Sequence, residues 1–243
     1  MPALIVGNWK MNGLGEDIAE IARMAGSGAP KTCSGVWIAP PFTLIDRAVI
    51  VAAGAVNIGG QDCHAKAAGA HTGCVSAAML ADLGAGFVIV GHSERRRDHG
   101  ESDADVRAKA EAGSAAGLEV ILCIGETRAQ RDAGQTSAVL SSQLAGSLPD
   151  SAEGLIVAYE PVWAIGTGLT PTLADVAAAH AHIRAELVGR YGPAGHGVRL
   201  LYGGSVTPAN AAELLGVDEV GGVLVGGASL TAASLLAIAA AAP

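Results

Sequence analysis

The sequence predicts a closed (β/α)8 barrel, eight parallel strands each followed by a helix, in one catalytic domain over residues 1–243. Three observations carry that reading. Short β-rich runs recur eight times; most are apolar on both faces, as parallel strands covered by helices are; and Ala-rich stretches with a helical pattern lie between them. Alternation of this kind implies right-handed crossovers, and eight units can close on themselves instead of leaving two sheet edges.

The strands are expected at ALIVG (3–7), VWIAP (36–40), VNIGG (56–60), FVIVG (87–91), EVILCIG (119–125), LIVAY (155–159), VRLLYG (198–203) and GGVLVG (221–226). Helical pattern is clearest in DIAEIARMAG, DVRAKAEAGSAAG and LADVAAAHAHIRAELVGRYG, the last closed by Gly192 and Pro193. The competing architecture is an open doubly wound sheet, which carries a Gly-rich fingerprint after its first strand. Here the first strand runs into NWKMNG instead. The chain contains no GxGxxG, GxxxxGK[ST], HExxH or GxSxG, so nucleotide, zinc-protease and serine-hydrolase readings lose their usual support.

Composition narrows the function further. At 243 residues and 50% hydrophobic, the chain can bury a large core, while a formal charge of -8 excludes the basic face that nucleic acid or an anionic membrane requires. An anionic ligand must therefore be held by local donors. Cys33, Cys63, Cys74 and Cys123 show no CxxC pairing, which fits a reducing compartment, with the cytoplasm as the expected location. The start, MPALIVGNWK, has no basic leader region, and the apolar tail from Ala228 is short and broken by Ser229, Thr231 and Ser234, so neither a signal peptide nor a membrane span is expected.

In a parallel barrel the loops after the strands build the active site, so polar residues at strand C-termini are the first candidates. Strand one delivers Asn8 and Lys10, strand four His92, Ser93 and Glu94, strand six Glu160, and strands seven and eight Gly203-Gly204-Ser205 and Gly226-Gly227. Asn8 and Lys10, two apart in extended chain, face one way and Trp9 the other. Taken singly, Lys10 reads as a strand-end salt bridge and His92 as a structural histidine; their shared position at one barrel mouth favours chemistry. His92 at a helix start favours the neutral imidazole. Arg96 and Arg97 read as a solvated face, and Arg95 as the partner of Glu94. Gly166-Thr167-Gly168, the turn with Ser205, and Gly226-Gly227 each expose backbone N–H groups, together an anion cradle of the kind built by the last two loops of such barrels.

The motifs NWKMN (8–12), GHSERR (91–96), AYEPVWAIGTG (158–168), YGGSV (202–206) and GVLVGGASL (222–230) resemble, in order and from first strand to last, those of the triosephosphate isomerases, the TIM-barrel enzymes of glycolysis and gluconeogenesis. The resemblance implies a cofactor-independent aldose–ketose isomerase acting on dihydroxyacetone phosphate and D-glyceraldehyde 3-phosphate through an enediolate, with no metal. By similarity Glu160 is the base, His92 the neutral electrophile, and Lys10 with Asn8 stabilises the enediolate. Gly166, Ser205, Gly226 and Gly227 hold phosphate through N–H groups. Glu94 supports Lys10, and Cys123 packs behind the site. Residues around Pro161-Val162-Trp163 and Thr167 hinge a lid, Tyr202 and Ser205 latch it closed, and Glu126 pairs with Trp163 when it is open. The loop 60–73 resembles the segment that places Thr72 beside a second subunit's site, implying a homodimer; His71 departs from the bulky aromatic expected there. Two other readings stay open at this stage: a Schiff-base aldolase using Lys10, and a metal-binding regulatory module built on Cys63, His64, His71 and Cys74.

Overall fold

The computed structural model describes residues 2–165 and 170–243. Eight parallel strands close in sequence order: β1 Ala3–Asn8, β2 Cys33–Ala39, β3 Asn57–Gly60, β4 Phe87–Val90, β5 Glu119–Ile124, β6 Leu155–Tyr159, β7 Arg199–Tyr202 and β8 Gly222–Val225. Closure is explicit, because β1 pairs with both β2 and β8. The fold is the (β/α)8 TIM barrel the sequence predicts. Around it lie α1 Ile18–Ser27, α2 Ile45–Ala52, α3 Ala77–Asp82, α4 Ser93–Asp98, α5 Asp103–Ala115, α6 Arg128–Asp132, α7 Thr136–Ser147, α8 Leu173–Tyr191, α9 Ala211–Leu215 and α10 Ala232–Ala240.

The two-residue period of each strand sorts its side chains into two cores. Leu4, Val6, Ile89, Ile121, Cys123, Ile156, Ala158, Leu201 and Leu224 fill the barrel interior, whereas Ile5, Ile38, Val88, Val120, Val157, Leu200 and Val223 pack outward. Both sets are buried, which is why the strands read as unbroken apolar runs. Burying each such side chain contributes about 1.5–3 kcal/mol. Gly59 is required by packing: a Cβ there would lie 2.5 Å from the Phe87 ring, which occupies that part of the interior.

Local signals set the helix starts. Ser102, Thr127 and Thr172 form capping boxes with Asp105, Gln130 and Asp175, so α5, α6 and α8 begin where their first N–H groups find side-chain acceptors. Most strand bounds lie within a residue or two of expectation. The exception is β2, which begins at Cys33, three residues before the predicted run, because its first residues pair with β1. Every strand's C-terminus points to the same mouth, and the candidate residues sit there.

Candidate active site

Asn8 is the last residue of β1 and is buried. The chain then turns: Lys10 has φ of 56°, in the left-handed region, so the expectation that Asn8 and Lys10 share an extended strand is corrected. Strand pairing stops at Asn8, and the turn is held by specific bonds. The N–H of Lys10 donates to Asn8 Oδ1 (3.0 Å), and Gln61 Nε2 donates to the carbonyls of Lys10 (2.8 Å) and Ala39 (2.9 Å). A non-glycine residue in this conformation is strained, and here the surroundings fix it where a cation faces the mouth. Lys10 Nζ lies 2.6 Å from Glu94 Oε1. Trp9 is turned away into the core, its Nε1 donating to the Ser229 carbonyl.

His92 precedes α4 and accepts at Nδ1 from the Glu94 N–H (3.2 Å), acting as that helix's cap. A ring nitrogen that accepts carries no proton, so the ring is neutral with its hydrogen on Nε2. That nitrogen lies 2.9 Å from Glu160 Oε1, and Ser93 N–H donates to Glu160 Oε2 at 2.9 Å. Glu160 directly follows β6 and is buried. Burial alone would raise its pKa, but His92, the Ser93 N–H and Lys10 outweigh it and hold the carboxyl below its usual range. For His92 burial opposes charge, but the Glu160 carboxylate, aided by Glu94, outweighs it and raises the ring's pKa above its ordinary value. The pair is therefore mutually stabilising, with the hydrogen on Nε2 shared toward the carboxylate. Cys123, fully buried at the end of β5, has its thiol pushed far up by burial and by Glu160 beside it.

These residues line one cavity of about 250 Å³: Asn8, Lys10, His92 and Glu160, together with Ile165, Gly203, Gly204, Ser205, Gly226 and Gly227 among others. That volume equals roughly eight liquid-water volumes, enough for a small phosphorylated molecule. The glycines keep the wall thin. A Cβ at Gly226 would sit 3.5 Å from Lys10 Cε, in the space between the cation and the loop. Ser205 Oγ donates to the Ala164 carbonyl (2.8 Å), and Asn210 Nδ2 donates to the Ser205 carbonyl, fixing the turn after β7.

Beside the cavity, Trp163 Nε1 donates to Glu126 Oε1 (3.0 Å), and Tyr159 Oη donates to the same oxygen (3.2 Å). Arg131 lies over the Trp163 ring at 4.6 Å and pairs with Asp175. Tyr202 Oη is buried with no hydrogen-bond partner among the described residues. Gly166 and the Gly166-Thr167-Gly168 hinge lie outside the described residues. Thr72 is exposed on the loop after β3, outside the cavity.

Two expectations for the arginine run are corrected. Arg95 turns from Glu94 to Glu101 (2.6 Å) and Asp62 (2.9 Å), leaving Glu94 for Lys10. Arg96 is not solvated: it donates to the carbonyls of Gly91 and Cys123 and to Ser147, and pairs with Asp103. Arg97 does pair at the surface, with Asp98. The sequence reading missed Gln61, although it stands directly after β3, where the same strand-end rule would have found it. It also missed Ser93 N–H as a donor to Glu160, a role that the first turn of any helix can supply.

The comparisons with known proteins agree with this geometry. The triosephosphate isomerase family model matches residues 3–242. The chain belongs to the triosephosphate isomerase family. A triosephosphate isomerase of Ruegeria sp. (strain TM1040) is 61% identical over 232 residues, 95% of this chain and 94% of that one. One of Afipia carboxidovorans is 60% identical over 245 residues, 99% of this chain and 97% of that one. The crystal structure of triosephosphate isomerase from Bartonella henselae superposes with a TM-score of 0.92 at 46% identity, covering 99% of both chains. The metal-module reading is not favoured. Among the described residues no three His, Cys, Asp or Glu groups form a metal-sized cluster; the His64 and His71 rings stack on each other at 4.0 Å, and Cys63 Sγ faces the Lys109 carbonyl. The aldolase reading is not favoured either, since the family model and the relatives matched over nearly the whole chain are triosephosphate isomerases.

Proposed function

We propose that this chain, as one (β/α)8 catalytic domain, interconverts dihydroxyacetone phosphate and D-glyceraldehyde 3-phosphate. The observation that carries the reading is the convergence of Lys10, His92 and Glu160 with the loops after β7 and β8 on one small cavity.

Glu160 takes a proton from the carbon next to the substrate carbonyl and returns it to the neighbouring carbon, so the base ends the cycle as it began. Its two oxygens are bonded here to His92 and Ser93, and it leaves these partners to reach the substrate carbon. His92 presents Nε2–H to the carbonyl oxygen and moves the proton between the two substrate oxygens. A neutral donor suits this step because its proton affinity stays close to that of the enediol it must shuttle with. Lys10 stabilises the charge developing on oxygen, with Asn8 and Glu94 fixing its position. Ser205, Gly226 and Gly227, with Gly166, hold the phosphate through N–H groups.

A lid over 161–168 would exclude water from an enediolate phosphate prone to eliminate its phosphate. Support comes from its flank, where Trp163 is tied to Glu126 and Ala164 to Ser205. Tyr202 and Ser205 are the proposed latch. A homodimer through loop 60–73, with Thr72 beside the partner's Asn8, is likewise proposed; it is supported by the exposed Met11 and Phe42 beside Gln61 and Asp62, and the exposed Met79 beside Lys66 and His71. No described helix is long and apolar enough to cross a membrane. The four free cysteines suit the cytoplasm as the working compartment.

A coupled assay of dihydroxyacetone phosphate formation from glyceraldehyde 3-phosphate tests the reading. Turnover without added metal or cofactor is expected, and its loss in Glu160→Gln assigns the base; a parent enzyme inert toward both trioses refutes it.

A further inference from the structure

Beside the cavity, on the side of β3 and α4, four charges form a closed ring. Lys109 Nζ lies 2.8 and 3.0 Å from the two oxygens of Asp62 and 2.6 Å from Glu101 Oε1. Arg95 Nε lies 2.6 Å from the same Glu101 oxygen, and its Nη2 2.9 Å from Asp62 Oδ2. Each cation thus bridges both acids, and the ring is neutral. The side chains of Asp62, Lys109 and Glu101 are only 13%, 12% and 7% exposed, so all three are largely withdrawn from water.

The members come from separate parts of the chain. Asp62 stands on the loop after β3, Arg95 on α4, Glu101 just ahead of α5, and Lys109 on α5. Of these, α4 has the most to gain. It is six residues long, too short to hold itself together in water, and it starts from His92, whose ring caps it. Any slip of α4 moves His92 Nε2 and Ser93 N–H together, the two groups that grip Glu160.

Stability alone explains the ring poorly. Desolvating four charges offsets most of their attraction, and apolar residues of the same shape commonly serve a core as well. Burial lifts the Asp62 carboxyl above its ordinary range even with both cations alongside. Glu101 Oε2 is buried with no hydrogen-bond partner among the described residues, because both cations share the other oxygen. A cluster arranged only to stabilise would use both oxygens; one arranged to set the distance between three elements need not.

We propose that Asp62 and Lys109 are positioning residues for the reaction: with Arg95 and Glu101 they lock α4 to the loop after β3 and so hold His92, at the start of α4, in place at the cavity. They touch neither substrate nor Glu160. The kinetic arm of the test rests on the isomerase reading; a spectroscopic arm does not.

The full-length chain is compared with Asp62→Asn, Lys109→Met and the double variant, measuring kcat, KM, melting temperature and the His92 ring signal in 15N–1H spectra, assigned with His92→Gln. Each single variant should lose on the order of tenfold in kcat with KM held within about twofold, and the His92 signal should shift. The double variant keeps the Arg95–Glu101 pair and restores neutrality. It should recover melting temperature but keep the low kcat and the shifted signal. Recovery of kcat and signal together with stability would reduce the ring to charge compensation and overturn the proposal, as would folded single variants with parental values. If a single variant fails to fold, Asp62→Glu, longer by one methylene, serves in its place: lowered kcat with a shifted signal supports the proposal, and parental values overturn it. A parent inert toward trioses whose His92 signal still shifts in the variants would refute the isomerase reading and leave the ring's role standing.

Discussion

Gly203→Ala tests whether the pose of Glu160 limits the rate. Gly203 follows β7, is buried, and donates its N–H to the Tyr159 carbonyl at 2.7 Å. A Cβ added there would lie 2.9 Å from Glu160 Cγ and 3.2 Å from the Tyr159 oxygen. Ordinary carbon contacts begin near 3.4 Å, so the first clash demands a shift of roughly half an ångström. Its direction is set: β7 is paired with β6 through this residue, so the Glu160 side chain yields before the backbone does. The 2.9 Å contacts of its carboxylate with His92 Nε2 and Ser93 N–H then stretch toward the limit of a hydrogen bond. Misplacing a catalytic group by this much costs on the order of 10- to 100-fold in kcat, and overpacking costs about 1–3 kcal/mol of stability. Inhibition by inorganic phosphate, proposed to be held further along the same loop at Ser205 and after β8 at Gly226 and Gly227, should change by less than about threefold. Gly189→Ala is the control, because it lies exposed in the last turn of α8 with nothing within 4 Å of the new Cβ. It should gain roughly 0.5–1 kcal/mol at unchanged activity. A folded Gly203→Ala enzyme with parental kcat would show that the methyl is absorbed elsewhere and that the rate does not depend on this contact.

Other perturbations read other parts of the site. Glu160→Asp keeps the charge but retracts the carboxylate by one methylene, so kcat should fall by roughly two orders of magnitude or more with KM little changed; equal turnover refutes the assignment of the base. Lys10→Ala removes a cation that faces charge before and during the reaction, so both KM and kcat should worsen, and unchanged phosphate inhibition would count against that role. His180 gives a pH signature of the fold. It is buried, with Nδ1 3.1 Å from the Glu219 carbonyl and its ring edge on Tyr159, and burial holds its pKa down at about 4. The unfolded chain binds that proton near the ordinary histidine value, so stability should fall by roughly 3 kcal/mol as pH drops from about 6.5 to about 4, then level off. His180→Phe should flatten this segment of the urea-midpoint curve relative to the parent, in which His92 contributes with the opposite sign; identical slopes would refute the account.

The barrel was legible because its strands are buried on both faces and its helices carry their own caps, two features written in short stretches of sequence. The convergence of the candidate residues was legible for a related reason: Asn8, His92, Glu160 and Gly226 stand at strand ends, and eight strand ends of a closed barrel share one mouth. Directions were harder to read. Arg95, Arg96 and Arg97 look equivalent in sequence, yet successive helix positions rotate by about 100°. That rotation sends Arg95 to Asp62 and Glu101, Arg96 under α4 against the barrel, and Arg97 to the surface. The left-handed turn at Lys10 was hidden for a different reason. Besides the local bond to Asn8 Oδ1, long-range bonds from Gln61 hold it, and the local pattern alone does not announce a residue that tertiary contacts help force out of its preferred conformation.

The way an acidic chain would bind a phosphate dianion follows from the same geometry. Among the described residues Lys10 is the one side-chain cation lining the cavity, and Glu94 and Glu160 lie within reach of it, so the local side-chain charge is negative. Attraction cannot therefore come from net charge. On the proposed reading it comes from N–H groups in the loops after β7 and β8, whose partial charges are fixed in direction and need no counterion. Glycine there lets the oxygens approach the backbone, and it leaves the charges near Glu160 unaltered, where an arginine would lower the carboxylate's basicity further than Lys10 and His92 already do. Holding the substrate's charge with neutral donors thus keeps the base effective, and one cation, set by a strained turn against the cavity, is left to act where charge develops on the substrate oxygen.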